Sequence, residues 1–354
     1  MRNADAGAWS RGKARGGFRA ERIVAAVMVA VLAAVTMMAA GSASPARADN
    51  RDWLRPDSTG TCEWDPALYW IQRCDVWSPS MNQHVAVQIR PAARGGNGSL
   101  YLLDGLLTEG INSWTVNSNV RDVFNGDDIT LVMPTGGRGS FYADWEAPAS
   151  VLPVPAAPMV NPDYRYETFL TKELPPYLEA NFGVSRSNNS VMGISMGATG
   201  AMNLAAKHPD QFKQVLSLSG YLTLTVPGAY SIMGLVLLSS GGFNINNLYG
   251  SIISPKRAEN DPYMNMGGLR NSDVVVVAGS GFPRADDPKD PQSLIVGGAL
   301  EQVSRVSTQM WGAKARAEGL VDTEVYPQFG VHNWPIWNET VSQNRERILQ
   351  ALGA

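Results

Sequence analysis

The chain has 354 residues, a length that one large α/β domain can accommodate. Apolar residues make up 44%, so the chain can bury a sizeable core and its composition excludes wholesale disorder. The formal charge of −3, with no basic block beyond the N-terminus, argues against nucleic-acid binding.

Residues 1–48 read as an export signal. Arg2, Arg11, Lys13, Arg15, Arg19 and Arg22 make a basic leader, Ile23 to Gly41 an apolar run, and Ala46-Arg47-Ala48 a small-residue cleavage site. Cleavage there leaves a secreted chain that starts at Asp49. Retention as a membrane anchor is the alternative, because the run approaches bilayer-spanning length. Residues 49–80 form a loop-rich extension with both cysteines of the chain, Cys62 and Cys74. In an exported protein such a pair is expected to form a disulfide, which stabilises by roughly 3 kcal/mol in the chain-entropy model.

Residues 81–354 carry a repeating strand pattern. Strands are expected at His84–Arg90, Ser99–Asp104, Ile129–Pro134, Ser190–Ile194, Gln214–Leu218, Asp273–Ala278 and Thr323–Tyr326, several of them apolar on both faces. Helices are expected at Thr168–Phe182, kinked or split by Pro175-Pro176, and at Met196–Lys207, Gly298–Glu318 and Asn338–Leu352. Ala147–Asp163, rich in Pro and Ala, reads as a surface loop. Strands alternating with helices predict a mostly parallel sheet covered on both faces. The apolar segment 222–255 exceeds a minimal sheet of this kind. It reads either as an ordinary core helix with its connections or as an insertion that roofs an acyl-chain site.

Gly193-Ile194-Ser195-Met196-Gly197 matches G-x-S-x-G, the nucleophile elbow, and sits between a predicted strand and a predicted helix as that motif requires. A serine hydroxyl needs a base to take its proton, and the chain has three histidines. His84 precedes the serine. His208 ends the helix that Ser195 begins, roughly 18 Å along its axis. His332 follows the last strand, in the Ser…acid…His order of α/β-hydrolases. The orienting acid stays open between Asp286, Asp287, Asp290 and Glu301. Met196 and the loop Asp104-Gly105-Leu106-Leu107 are the expected sources of oxyanion N–H groups. No metal-ligand spacing, P-loop or dinucleotide fingerprint occurs, so no metal or other cofactor is expected.

Six collinear blocks resemble the antigen 85 mycolyltransferases. They are Tyr101–Leu106, Val132–Gly137 with Ser140–Trp145, Glu167–Pro175, Gly193–Met196, Ala206–Phe212 and His332–Trp334. The resemblance runs from about Ser78 to the C-terminus. It implies an α/β-hydrolase fold and transfer of long branched acyl groups between trehalose mycolate glycolipids and cell-envelope acceptors, outside the cytoplasmic membrane and in peripheral contact with the outer lipid layer. By match it implies Ser195 as nucleophile, His332 as base, Glu301 as acid, Leu106 and Met196 as oxyanion donors, and Asp104 and Trp334 at the substrate. The family's arginine after the Asp-Gly-Leu step is Leu107 here, which puts the trehalose contacts in doubt. The Cys62–Cys74 segment is instead similar to the mycoloyltransferases of corynebacteria, whose acyl chains are shorter.

Overall fold

The structure, a computed structural model, describes residues 62–64, 71–108, 110–135, 137–149, 162–320 and 322–354. The expected export signal and most of the expected Pro- and Ala-rich loop lie outside these residues.

Among the described residues nine strands form one sheet. They are β1 (Glu63–Trp64), β2 (Gln72–Ser78), β3 (Gln83–Arg90), β4 (Gly98–Leu103), β5 (Ile129–Pro134), β6 (Asn189–Ile194), β7 (Phe212–Leu218), β8 (Asp273–Val277) and β9 (Thr323–Val325). Their order is β1-β2-β3-β5-β4-β6-β7-β8-β9. The pairs from β5 through β4, β6, β7 and β8 to β9 are parallel, and the β1–β2–β3–β5 edge is antiparallel. The α/β-hydrolase architecture expected from the sequence is therefore present.

Both sheet faces are buried, which is why the central strands read as continuous apolar runs. Along β4 the side chains alternate between two cores: Tyr101 and Leu103 enter one, Leu100 and Leu102 the other. The first core is closed by α1 (Leu174–Phe182), α2 (Met196–Lys207) and α4 (Pro291–Ala317), through residues such as Leu178, Met202 and Trp311. The second is closed by α5 (Trp334–Leu352), through Ile336, Val341 and Ile348. Each fully buried Leu or Ile contributes about 1.5–3 kcal/mol relative to exposure. Between α2 and α4 the chain inserts α3 (Ala229–Gly241), whose Leu235 and Leu238 remain exposed. No described helix is long and apolar enough to cross a membrane.

Several boundaries differ from the sequence reading. The supposedly loop-rich extension supplies β1 and β2. The β2 side chains alternate in burial, with Cys74, Val76 and Ser78 inward, a short polar-apolar pattern easily taken for a loop. Pro175 and Pro176 do not break the chain's helical course. A π-helical turn, Phe169–Glu173, precedes them, and they occupy the first turn of α1, where a missing N–H costs nothing. Helix α4 starts seven residues before the expected Gly298, because Asp290 caps it by accepting from the Ser293 N–H. Cys62 and Cys74 are joined in a disulfide with a Cα–Cα distance of 4.4 Å.

The β6–α2 junction is packed against β4 with no spare room. A Cβ on Gly197 would stand 2.4 Å from the Leu103 carbonyl oxygen, and one on Gly193 would stand 2.2 Å from the Gly197 oxygen. Both obstacles are backbone and cannot rotate away.

Two outcomes follow from this packing. Gly197→Ala should force α2 away from β4 and cost about 1–3 kcal/mol, read in urea unfolding. Replacing both Cys62 and Cys74 by Ser should lower stability by about 3 kcal/mol; an unchanged urea midpoint would contradict a stabilising cross-link.

Candidate active site

Ser195 stands between β6 and α2 with φ 53° and ψ −118°. A non-glycine residue at positive φ is held there only by its surroundings. Here the Ser195 N–H donates to Leu218 O of the neighbouring strand at 2.9 Å, and its carbonyl accepts from the N–H groups of Ala198 and Thr199 at the start of α2. The turn lifts the hydroxyl above the C-terminal edge of the parallel strands. The first N–H groups of α2, beginning with Met196, have no intrahelical acceptor and carry positive partial charge beside it.

The loop after β4 abuts this serine: a Cβ on Gly105 would lie 3.9 Å from Ser195 Cβ. Asp104, only 2% exposed, shapes that loop. Its Oδ1 accepts from the Gly105 N–H and its Oδ2 from the Ser113 N–H, both at 2.6 Å. Its own N–H donates to Tyr142 Oη at 2.7 Å. Burial pushes the Asp104 carboxyl upward in pKa, opposed by those N–H donors. Leu106, next in the loop, accepts from the Gly139 N–H at 3.0 Å. Thus Asp104 is placed inside the loop that supports the site, with both carboxylate oxygens engaged by backbone.

His332 follows β9 in a loop that α4 holds, its N–H donating to Gly297 O at 3.0 Å. Asn333 then caps α5 by accepting from the Trp334 N–H. The imidazole Nδ1 meets Glu301 Oε2 at 2.8 Å. Glu301 is fully buried, and its Oε1 accepts from Ser219 Oγ at 2.8 Å and from the Gly279 N–H at 2.6 Å. Ser219 in turn accepts from Trp337 Nε1 at 2.8 Å. An ionised Glu301 that accepts from Nδ1–H leaves Nε2 as the basic nitrogen of a neutral ring.

The other candidates sit elsewhere. Asp286 pairs with Arg284 at 3.0 Å, Asp287 accepts from the Arg284 N–H, and Asp290 caps α4. His84 packs edge-on against Trp77, and His208 bonds Glu167 at 3.0 Å. Trp334 packs edge-on between Trp114 and Trp337, and Leu107 is half-buried.

Sequence reasoning missed Ser219 and Tyr221. The register that pairs Ile194 with Leu218 brings Ser219 beside Ser195, each at the end of its strand and each at positive φ. The Tyr221 ring, two residues on, lies 6.1 Å from the His332 ring. Among the described residues no hydrogen bond joins Ser195 and His332 directly. The Ser-Leu-Ser-Gly run at the end of β7 was the available signal, since it repeats a serine at a strand end next to the elbow strand.

The Esterase family model matches residues 78–348. The diacylglycerol acyltransferase/mycolyltransferase Ag85C of Mycobacterium avium is 33% identical over 287 residues, covering 80% of this chain and 78% of that protein. Ag85A of Mycobacterium leprae is 32% identical over 290 residues, covering 80% and 84%. The crystal structure of Mycobacterium tuberculosis MPT51 (FbpC1) superposes with a TM-score of 0.68 at 26% identity, covering 80% of this chain and 98% of that one. An S-formylglutathione hydrolase from Agrobacterium tumefaciens, 15% identical with a TM-score of 0.54, shares the fold alone and covers 80% and 96%. With an esterase match over most of its length and relatives above 30% identity, the chain belongs to the antigen 85 family of diacylglycerol acyltransferases/mycolyltransferases.

Proposed function

We propose that the protein is a secreted serine acyltransferase that moves mycolic acyl groups between trehalose esters and cell-envelope acceptors. One observation carries the reading: a serine stands on a strained strand-to-helix elbow, and a histidine in the loop after the last strand of the same sheet is held by a fully buried carboxylate. The names of its relatives supply the acyl chemistry.

The reaction runs in two steps. His332 Nε2 takes the Ser195 proton as Oγ attacks the donor ester carbonyl. The oxyanion is held by the N–H groups of Met196 and Leu106, with the field of the α2 N-terminus behind them. The protonated His332 then gives its proton to the departing sugar hydroxyl, leaving the acyl group on Ser195. An acceptor hydroxyl attacks next, activated by the same imidazole, and Ser195 is regenerated. Glu301 holds Nδ1–H throughout and stabilises the imidazolium.

Transfer has to outcompete water, so the acyl-enzyme needs an apolar cover. Helix α3 suits that role. It packs on the loop after β5, since Arg138 donates to Ser240 O and a Cβ on Gly139 would meet Phe243 and Leu237, and that loop touches the oxyanion loop through the Gly139 N–H donated to Leu106 O. The exposed Leu235 and Leu238 extend the apolar surface outward, where a long acyl chain or the outer lipid layer would meet it. Because Leu107 lacks a guanidinium, the acceptor is not tied to the trehalose contact that the family's arginine makes.

A fluorophosphonate probe should label Ser195, and Ser195→Ala should abolish both labelling and the acyl-enzyme detected by mass spectrometry with a trehalose acyl ester; labelling that survives the substitution ends this reading. The ratio of transfer to hydrolysis on the same ester separates an acyltransferase from a plain esterase. Glu301→Gln should lower kcat by about 10³–10⁴-fold with little change in KM, because the amide presents its NH₂ to at least one of the donors the carboxylate now accepts from.

A further inference from the structure

An oxyanion N–H at Leu106 is aimed by the peptide it belongs to. A trans peptide is planar, so the Gly105 carbonyl and the Leu106 N–H point in opposite directions and turn together. The Gly105 carbonyl accepts from Thr108 Oγ1 at 3.1 Å. Thr108 is only 3% exposed, so the carbonyl is drawn toward a buried hydroxyl and the Leu106 N–H to the opposite side. The peptides on either flank are held as well. The Gly105 N–H donates to Asp104 Oδ1 at 2.6 Å, and the Leu106 carbonyl accepts from the Gly139 N–H at 3.0 Å. Of the N–H groups from Asp104 to Leu106, the first donates to Tyr142 Oη and the second to the Asp104 carboxylate; among the described residues the third has no acceptor. The loop that carries it abuts the nucleophile, since a Cβ on Gly105 would lie 3.9 Å from Ser195 Cβ. Backbone N–H groups are strong donors, and one held near the serine without a partner of its own suits a developing oxyanion.

We propose that Thr108 is a positioning residue for acyl transfer: by holding the Gly105 carbonyl, its hydroxyl keeps the Leu106 N–H turned toward the oxyanion. The proposal rests on the reading of Ser195 as nucleophile and Leu106 as oxyanion donor given above. A packing role alone would be met by valine, which has nearly the shape of Thr108 without its hydroxyl. The hydroxyl acts in two ways. It fixes the peptide plane, so the N–H need not rotate into place as charge appears. It also polarises the peptide, because hydrogen bonds in series strengthen one another, and the Leu106 N–H becomes a better donor. As Ser195 Oγ bonds to the carbonyl carbon of the donor ester, the serine proton passes to His332 Nε2 and the carbonyl π pair moves onto the carbonyl oxygen. Thr108 keeps its proton and does not touch substrate. A hydrogen bond to an oxygen gaining negative charge strengthens as the charge grows, so the aim of this N–H is felt in kcat more than in KM.

The test uses the full secreted chain, with Thr108→Val and Thr108→Ala to remove the hydroxyl and Thr108→Ser to keep it. The first two should lower kcat on a short-chain acyl ester by about tenfold and leave KM within about twofold. That is less than the roughly 10²–10³-fold cost of deleting an oxyanion donor outright, because the N–H remains and only its aim is loosened. Fluorophosphonate labelling of Ser195 should slow by a similar factor, since the phosphoryl oxygen needs the same N–H groups. Thr108→Ser should keep kcat and labelling within about twofold of the parent. Parent-like kcat and labelling in a folded Thr108→Val or Thr108→Ala would overturn the proposal. So would an equal loss in Thr108→Ser, or a loss seen only in proportion to a lowered melting temperature. Labelling that persists in Ser195→Ala would instead overturn the underlying assignment of the nucleophile, which keeps the two failures distinct.

Discussion

A carboxylate with no exposure to water organises the C-terminal half of this molecule. Burying the Glu301 charge is expensive unless every lone pair facing the interior finds a donor. The donors come from three segments outside its own helix: Ser219 after β7, Gly279 after β8, and His332 before α5. The carboxylate is thus a knot between neighbouring strand ends and two helices. Any movement of α4 that broke it would leave a charge unpaired in the core. The imidazole inherits that rigidity, since its Nδ1 has one partner and its ring is flanked by Tyr221 and Trp337.

The serine is held by a different device. Its backbone occupies a conformation that L-residues avoid, kept in place by glycines whose missing Cβ atoms let α2 approach β4 within backbone contact. Strain at the elbow and satisfaction at the acid are complementary. The first lifts the Ser195 side chain at a sharp turn, the second keeps the His332 ring from wandering. The parallel register of β6 and β7 joins them, because it sets Ser195 and Ser219 side by side and Ser219 donates to Glu301.

The fold is shared with hydrolases of other substrates, so fold alone does not choose between water and a second hydroxyl as acceptor. What distinguishes this chain lies around the shared centre. Helix α3 is fastened to the loop after β5 and leaves leucines outward. These features lie apart from the Glu301–His332 pair. The N-terminal strands β1 and β2, joined by the Cys62–Cys74 bridge, extend the sheet at the edge opposite His332 and so bear on stability only.

Much of this was legible in the sequence, for a reason that can be stated. The elbow is a short-range steric problem, and its solution, glycines two residues either side of a serine between a strand and a helix, is written in consecutive residues. The order of strands and helices follows from local periodicity, and with three histidines His332 remains as the candidate base by elimination. The orienting acid could not be chosen from residue chemistry, because Asp286, Asp287, Asp290 and Glu301 offer the same carboxyl group within a few turns of one another. The tertiary structure separates them by burial and by a contact across 31 residues. Ser219 was likewise missed, since the Ser-Leu-Ser-Gly run that marks it does not say which strand end lies beside it. Strand register, a long-range property settled by the packing of the whole sheet, brings Ser219 beside Ser195.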